Sequence, residues 1–201
     1  MIYIIDYEAG NIRSVARAFH FFKKEVTITS DLSKVKPKDL LVLPGVGSFG
    51  FAMKELQKKK MIDPIKDLIT NKTPFLGICL GLQLLFDNSE ESPGIEGLGI
   101  LKGSVKKFKS DKLSIPQIGW NDIRIKKTEF KEFDKQYFYF VHSYYVDPAD
   151  KKNVLAMTNY GIDYVSAVIK ENLIATQFHP EKSSKIGLKF LEKVLQYFKV
   201  S

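Results

Sequence analysis

In its first half the chain alternates short apolar runs with longer amphipathic stretches. Residues 2–6 read as a buried strand, and 11–22 as a helix with Val15, Ala18, Phe19 and Phe22 on one stripe. Residues 26–29 and 40–43 read as two further strands, the second ending at Pro44. Helical patterns follow at 51–57 and 62–69, and 75–78 is a fourth strand running into Cys79. Strand–helix alternation of this kind predicts an α/β fold, a mostly parallel open sheet flanked by helices.

The second half changes period. Residues 123–126 alternate like an antiparallel strand with one wet face, and 137–146, 154–158, 165–169 and 173–178 are further strand candidates. Asn159-Tyr160-Gly161 and Glu171-Asn172 read as hairpin turns between them. Ser183-Ser184 can cap a last helix with Ile186, Phe190, Val194 and Phe198 as its apolar stripe. No repeat, low-complexity tract or linker interrupts residues 1–201, which read as one domain.

Composition narrows the function classes. With 44% hydrophobic and 27% charged residues the chain has the balance of a globular protein, so extended disorder is not expected. No apolar run is long enough to span a membrane, and residues 1–6 lack the basic start of a secretion signal. A lone cysteine, Cys79, cannot form an internal disulfide, which points to a reducing compartment and a cytoplasmic protein. The net charge of +8 raises the possibility of nucleic acid, but only Arg13, Arg17 and Arg124 are arginines and the lysines are scattered. A solvated lysine surface, or docking to an acidic protein face, fits better.

Gly77-Ile78-Cys79-Leu80-Gly81 follows an apolar strand and precedes a helical pattern at 80–86. This is the G-x-nucleophile-x-G elbow with cysteine in the nucleophile position. Flanking glycines let neighbouring backbone approach the sharp turn, the helix start favours a thiolate, and the Leu80 N–H can face an oxyanion. Read as an inert core residue, Cys79 would need none of this setting.

Gln177-Phe178-His179-Pro180-Glu181 supplies a base and its orienter. The i, i+2 spacing puts His179 and Glu181 on one side of a strand end, and Pro180 stiffens the link. A carboxylate beside an imidazole holds its tautomer and stabilises the imidazolium. Of the other two histidines, His20 lies in the first amphipathic helix and His142 in a strand-like run, where it can support the site from behind. Pro44-Gly45-Val46-Gly47-Ser48-Phe49-Gly50 matches the dinucleotide pattern G-x-G-x-x-G, but it follows the third strand, and the first strand-to-helix turn lacks the fingerprint. The loop can instead offer a second oxyanion donor opposite the elbow.

The cysteine elbow, the glycine loop and His-Pro-Glu together resemble the class I (triad) glutamine amidotransferases. Asp6-Tyr7, Gly10-Asn11, Gly119-Trp120-Asn121 and residues 140–145 and 178–183 narrow the likeness to the glutaminase subunits of histidine biosynthesis, from one terminus to the other. The resemblance implies catalysis by Cys79, His179 and Glu181, an oxyanion hole from Val46, Gly47 and Leu80, and no cofactor or metal. It further implies glutamine held by Gly45, Gly47, Gln83, Ser143 and Tyr144. Asn11, Trp120 and Lys182 match positions near the interface with a HisF-type (β/α)8 cyclase, to which ammonia would pass. Glu8, where the family usually has glycine, and Gln117-Ile118, in place of a common His-Met, depart from the pattern and bear on partner fit. A paralogous amidation pathway and a non-catalytic binding subunit remain as alternative readings.

Overall fold

A computed structural model gives the fold, described for residues 1–8, 10–109 and 113–200. Ala9, within the first strand-to-helix turn, lies outside the described residues. The first half runs β1 (Ile2–Ile5), α1 (Ile12–His20), β2 (Val26–Thr29), β3 (Leu40–Gly45), α2 (Phe49–Lys58), α3 (Ile62–Thr70), β4 (Phe75–Cys79) and α4 (Leu80–Gln83). The second runs β5 (Asn88–Ser89), β6 (Gly103–Lys107), β7 (Gln117–Asp122), β8 (Arg124–Ile125), β9 (Tyr137–His142), β10 (Tyr144–Pro148), β11 (Val154–Asn159), β12 (Asp163–Lys170), β13 (Leu173–Thr176) and α5 (Ser184–Tyr197).

The main sheet has the order β2-β1-β3-β4-β13-β12-β10-β6-β5, with β11 and β8 branching from β12. From β2 to β13 every pairing is parallel; beyond β13, β12, β10 and β6 pair antiparallel. The fold is therefore α/β with a parallel centre and an antiparallel extension. The central strands are buried on both faces, which is why their sequences are continuous apolar runs. Alternate residues feed two cores. Ile2, Ile4, Leu76 and Ile78 pack with α1 and α5 through Phe19, Phe190 and Val194. Tyr3, Ile5, Leu41 and Phe75 pack with α2 and α3 through Phe49, Leu56 and Ile65.

The hairpin turns fall where the sequence puts them, with Asn159 opposite Asp163 and Lys170 opposite Leu173. Four details differ. The run 137–146 is two strands: β9 pairs only with β7 in a separate two-stranded sheet, while β10 joins the main sheet. His142 Nδ1 sits 2.8 Å from the Tyr144 carbonyl oxygen and clasps the break at Ser143. The helical pattern at 80–86 stops after α4, a single turn, because residues beyond it bond back to segments 97–101 and 103. The strands β6 and β7 carry too few apolar residues to be read by period alone. Ser183 does not cap α5 with its side chain; its hydroxyl bonds the backbone of Tyr139 and His179 instead.

Candidate active site

Three neighbouring parallel strands, β3, β4 and β13, end together. Their register sets Gly45 beside Cys79 and Thr176 beside Ile78, so the glycine loop, the cysteine and the Gln177–His179 segment leave one edge of the sheet. Ligands of open α/β sheets sit at such carboxyl ends.

Cys79 occupies φ +54°, ψ −107°, a conformation costing about 1–3 kcal/mol that persists only when its surroundings enforce it. Gly81 and Gly77 enforce it: a Cβ on Gly81 would meet the Leu43 carbonyl oxygen at 1.9 Å, and one on Gly77 would meet Ala175 Cβ and Gly81 O at 2.9 Å. Since α4 is one turn long, it offers little of a macrodipole.

His179 and Glu181 meet through a single 3-10 turn at Pro180–Lys182, not through a strand pleat, since β13 ends at Thr176. His179 Nδ1 lies 2.8 Å from Glu181 Oε1, both side chains almost fully buried. Nδ1 thus carries the hydrogen that faces the carboxylate. The backbone is clamped as well. His179 N donates to Tyr139 O at 2.9 Å, and Ser183 Oγ donates to His179 O at 2.6 Å while accepting from Tyr139 N at 3.0 Å.

Burial alone would pull the His179 pKa down, but the Cys79 thiolate and the Glu181 carboxylate outweigh it and hold the imidazolium up to about 10. Its Nε2 makes no hydrogen bond of ordinary geometry; the charge it answers to is that of Cys79. Around the sulfur, Gln177 Nε2 approaches to 3.6 Å and the Val141 carbonyl oxygen to 3.9 Å. Burial pushes the His142 pKa down to about 4, so this ring is neutral; its Nδ1–H is committed to Tyr144 O and its Nε2 lies 3.3 Å from Tyr164 Oη.

A cavity of about 540 Å³ opens onto Cys79. Val46, Gly47, Leu80, Gln83, Ser143 and Tyr144 line it, as do Asn11 and Lys182. His179 and Glu181 are not part of that lining. Gly45 is not either: it is buried against Tyr7 and Leu80, where a Cβ would meet Tyr7 Oη at 2.6 Å and Leu80 Cβ at 2.8 Å. Trp120 sits outside the cavity on the exposed face of the β7–β9 sheet, between Ile118 (63% exposed) and Tyr137 (58%).

Sequence reasoning passed over Glu91, a cavity-lining carboxylate whose Oε2 accepts from Phe49 N at 2.7 Å at the start of α2. It lies in an irregular stretch after the elbow, where no period or motif marks it. The departures also acquire places. Glu8 takes φ +69°, open to glycine without strain, and pairs with Lys59 at 2.9 Å. Gln117 is buried and accepts from Tyr164 Oη at 3.0 Å. Among the described residues no group of three or more His, Cys, Asp or Glu could hold a metal ion, and no helix is long and apolar enough to cross a membrane.

A strained cysteine turn, a buried His–carboxylate pair and a glycine loop thus meet at one end of the sheet, and the chain belongs to the class-I glutamine amidotransferases, whose family model matches residues 3–195. Solved structures agree on the fold: a glutamine amidotransferase superposes with a TM-score of 0.78 at 17% identity over 100% of both chains. PurLQS from Thermotoga maritima follows at 0.76 and 20%, covering 98% of this chain and 97% of that one. Nearer in sequence is the imidazole glycerol phosphate synthase subunit HisH of Methanocaldococcus jannaschii, 48% identical over 98% of this chain and 99% of the relative. Subunit HisH 1 of Methanococcus maripaludis is 46% identical over the same shares.

Proposed function

We propose that the chain is the glutaminase subunit of an imidazole glycerol phosphate synthase, hydrolysing glutamine and passing ammonia to a HisF-type (β/α)8 cyclase in the cytoplasm. The observation that carries this is the buried His179–Glu181 pair, 2.8 Å apart, beside a Cys79 that opens onto a cavity with room for one amino acid.

Cys79 thiolate attacks the side-chain amide carbon of glutamine, forming the S–C bond and moving the carbonyl π electrons to oxygen. The N–H groups of Leu80 and of the Val46-Gly47 segment take that oxyanion. On collapse the C–N bond breaks, His179 Nε2 gives its proton to the departing nitrogen, and ammonia leaves a glutamyl thioester. Water adds with its proton taken by His179, and glutamate departs with the thiolate restored. Glu181 keeps the ring oriented throughout.

Gln83, Ser143 and Tyr144 hold the glutamine. Both hydrogens of Gln83 Nε2 are engaged, to Tyr144 O and Gln177 Oε1 at 3.1 Å each, so Gln83 offers the substrate only its oxygen. That acceptor and the Glu91 carboxylate suit an ammonium group. Val46 is 39% exposed, and a Cβ on Gly47, at φ +98°, would meet nothing within 4 Å. A loop this loosely packed can turn its N–H toward the oxyanion only when the loaded partner demands it. The exposed Ile118, Trp120 and Tyr137, with Asn11 and Lys182, suit a docking face.

Glutamate release from glutamine, with and without a HisF-type cyclase and its ribulosyl substrate PRFAR, tests this reading. Strong stimulation by both together is expected. Glutaminase activity without stimulation would keep the chemistry and reject the partner, and no activity under any condition would reject both.

A further inference from the structure

We infer that Gln177 is a catalytic residue of this site, its side-chain amide donating a hydrogen bond to the Cys79 sulfur and holding the thiolate ready for attack. The inference rests on the proposed glutaminase chemistry and adds to the triad a fourth group in contact with the reacting atom.

The orientation of the amide follows from a chain of contacts. Which end of a glutamine amide is nitrogen is ordinarily a matter of assignment. Here one end of Gln83 lies 3.1 Å from the Tyr144 backbone carbonyl oxygen, which can only accept, so that end is Nε2. The same nitrogen lies 3.1 Å from the Gln177 amide, so the atom it meets is Oε1. The other end of Gln177, its NH₂, then faces Cys79 Sγ at 3.6 Å. Gln177 is fully buried and Gln83 nearly so, and buried polar groups keep their hydrogen-bond partners. The donor–acceptor order is therefore set from a backbone carbonyl through two side chains to the sulfur.

The other polar contact of the sulfur pulls the opposite way. The Val141 carbonyl oxygen, at 3.9 Å, can only receive a thiol proton and so favours the neutral form. An N–H donor favours the charged one. His179 also favours it, but its proton leaves for the departing nitrogen during each turnover. Gln177 keeps its hydrogens, so it serves the sulfur both when it attacks and when it leaves as the thioester is hydrolysed. The other titratable groups around this centre are Glu181 behind His179, Tyr7 after β1, Tyr164 on β12, and His142, which faces His179 from the end of β9. Burial keeps both phenols and His142 uncharged near neutral pH.

The test is the pH dependence of Cys79 alkylation by iodoacetamide, which needs no partner, read beside glutamate release in the cyclase assay. Gln177→Met keeps the side-chain length and removes the donor. Its alkylation midpoint should rise by about one pH unit and its kcat should fall about tenfold. A folded Gln177→Met protein with the wild-type midpoint and kcat would show that Gln177 only fills space, overturning the assignment. Should that variant not fold, the wild-type protein still decides. Its Gln177 side-chain amide protons, followed by NMR, should shift with the alkylation midpoint, and signals indifferent to that ionisation would overturn the hydrogen bond. A midpoint raised in Gln177→Met, with no glutamate released by the wild-type protein under any condition, would reject the proposed function while leaving the hydrogen bond in place.

Discussion

A methyl group on Gly81 would sit 1.9 Å from the carbonyl oxygen of Leu43. The first turn of α4 is thus pressed onto the backbone of β3, the strand whose last residue, Gly45, pairs with Cys79. This approach brings Cys79 close to the glycine loop, and it is available only to a residue without a side chain.

Gly81→Ala should therefore cost about 3 kcal/mol or more, because the atom it meets is backbone and cannot rotate away. Gly47→Ala meets nothing within 4 Å and should cost only about 1 kcal/mol, for its positive φ. Urea midpoints of the two variants check the contrast; equal losses would mean the elbow can relax away from β3.

Cys79→Ala should abolish glutamine hydrolysis while the protein still folds, since the turn is held by the close backbone approaches of Gly81 and Gly77. His179→Ala should lose at least about 10³-fold in kcat and Glu181→Gln distinctly less, because the acid orients a ring that still transfers protons. Glutamate assays with the cyclase bound decide; equal losses at His179 and Glu181 would merge their roles.

Stability should fall on both sides of neutrality for different reasons. His142 drops from an ordinary 6.5 to about 4 in the fold, so its contribution is complete above 6.5 and is lost as pH falls toward 4. That amounts to about 2 kcal/mol between pH 7 and pH 5. His179 rises from 6.5 to about 10, so its contribution is complete below 6.5 and drains away as pH climbs to 10. Urea unfolding across this range should show the acid limb flattened in His142→Gln and unchanged in Trp120→Ala.

Trp120→Ala should weaken cyclase binding at least about tenfold without destabilising the subunit. The indole is 51% exposed and its recorded ring contact is an edge-on approach to Tyr139, with centroids 6.3 Å apart. Calorimetric titration of the cyclase measures the loss; an unchanged affinity would remove Trp120 from the docking face.

Much of this molecule is legible along the chain. Period and turn chemistry place the parallel strands and most helices, and the elbow and His-Pro-Glu mark Cys79, His179 and Glu181, because each of those patterns is enforced within a few residues. Where partners are distant, the chain is silent. A ten-residue aromatic run cannot disclose that β9 and β10 belong to different sheets, since that depends on β7 and β6 arriving from elsewhere. Glu91 reads as one acid among many until α2 brings Phe49 N against it. Gln177 reads as an interior strand residue until Gln83, 94 positions away, turns its amide toward the sulfur. Local sequence determined the conformations and the reactive groups; only the packed sheet, which decides whose strand ends share an edge, determined what those groups touch.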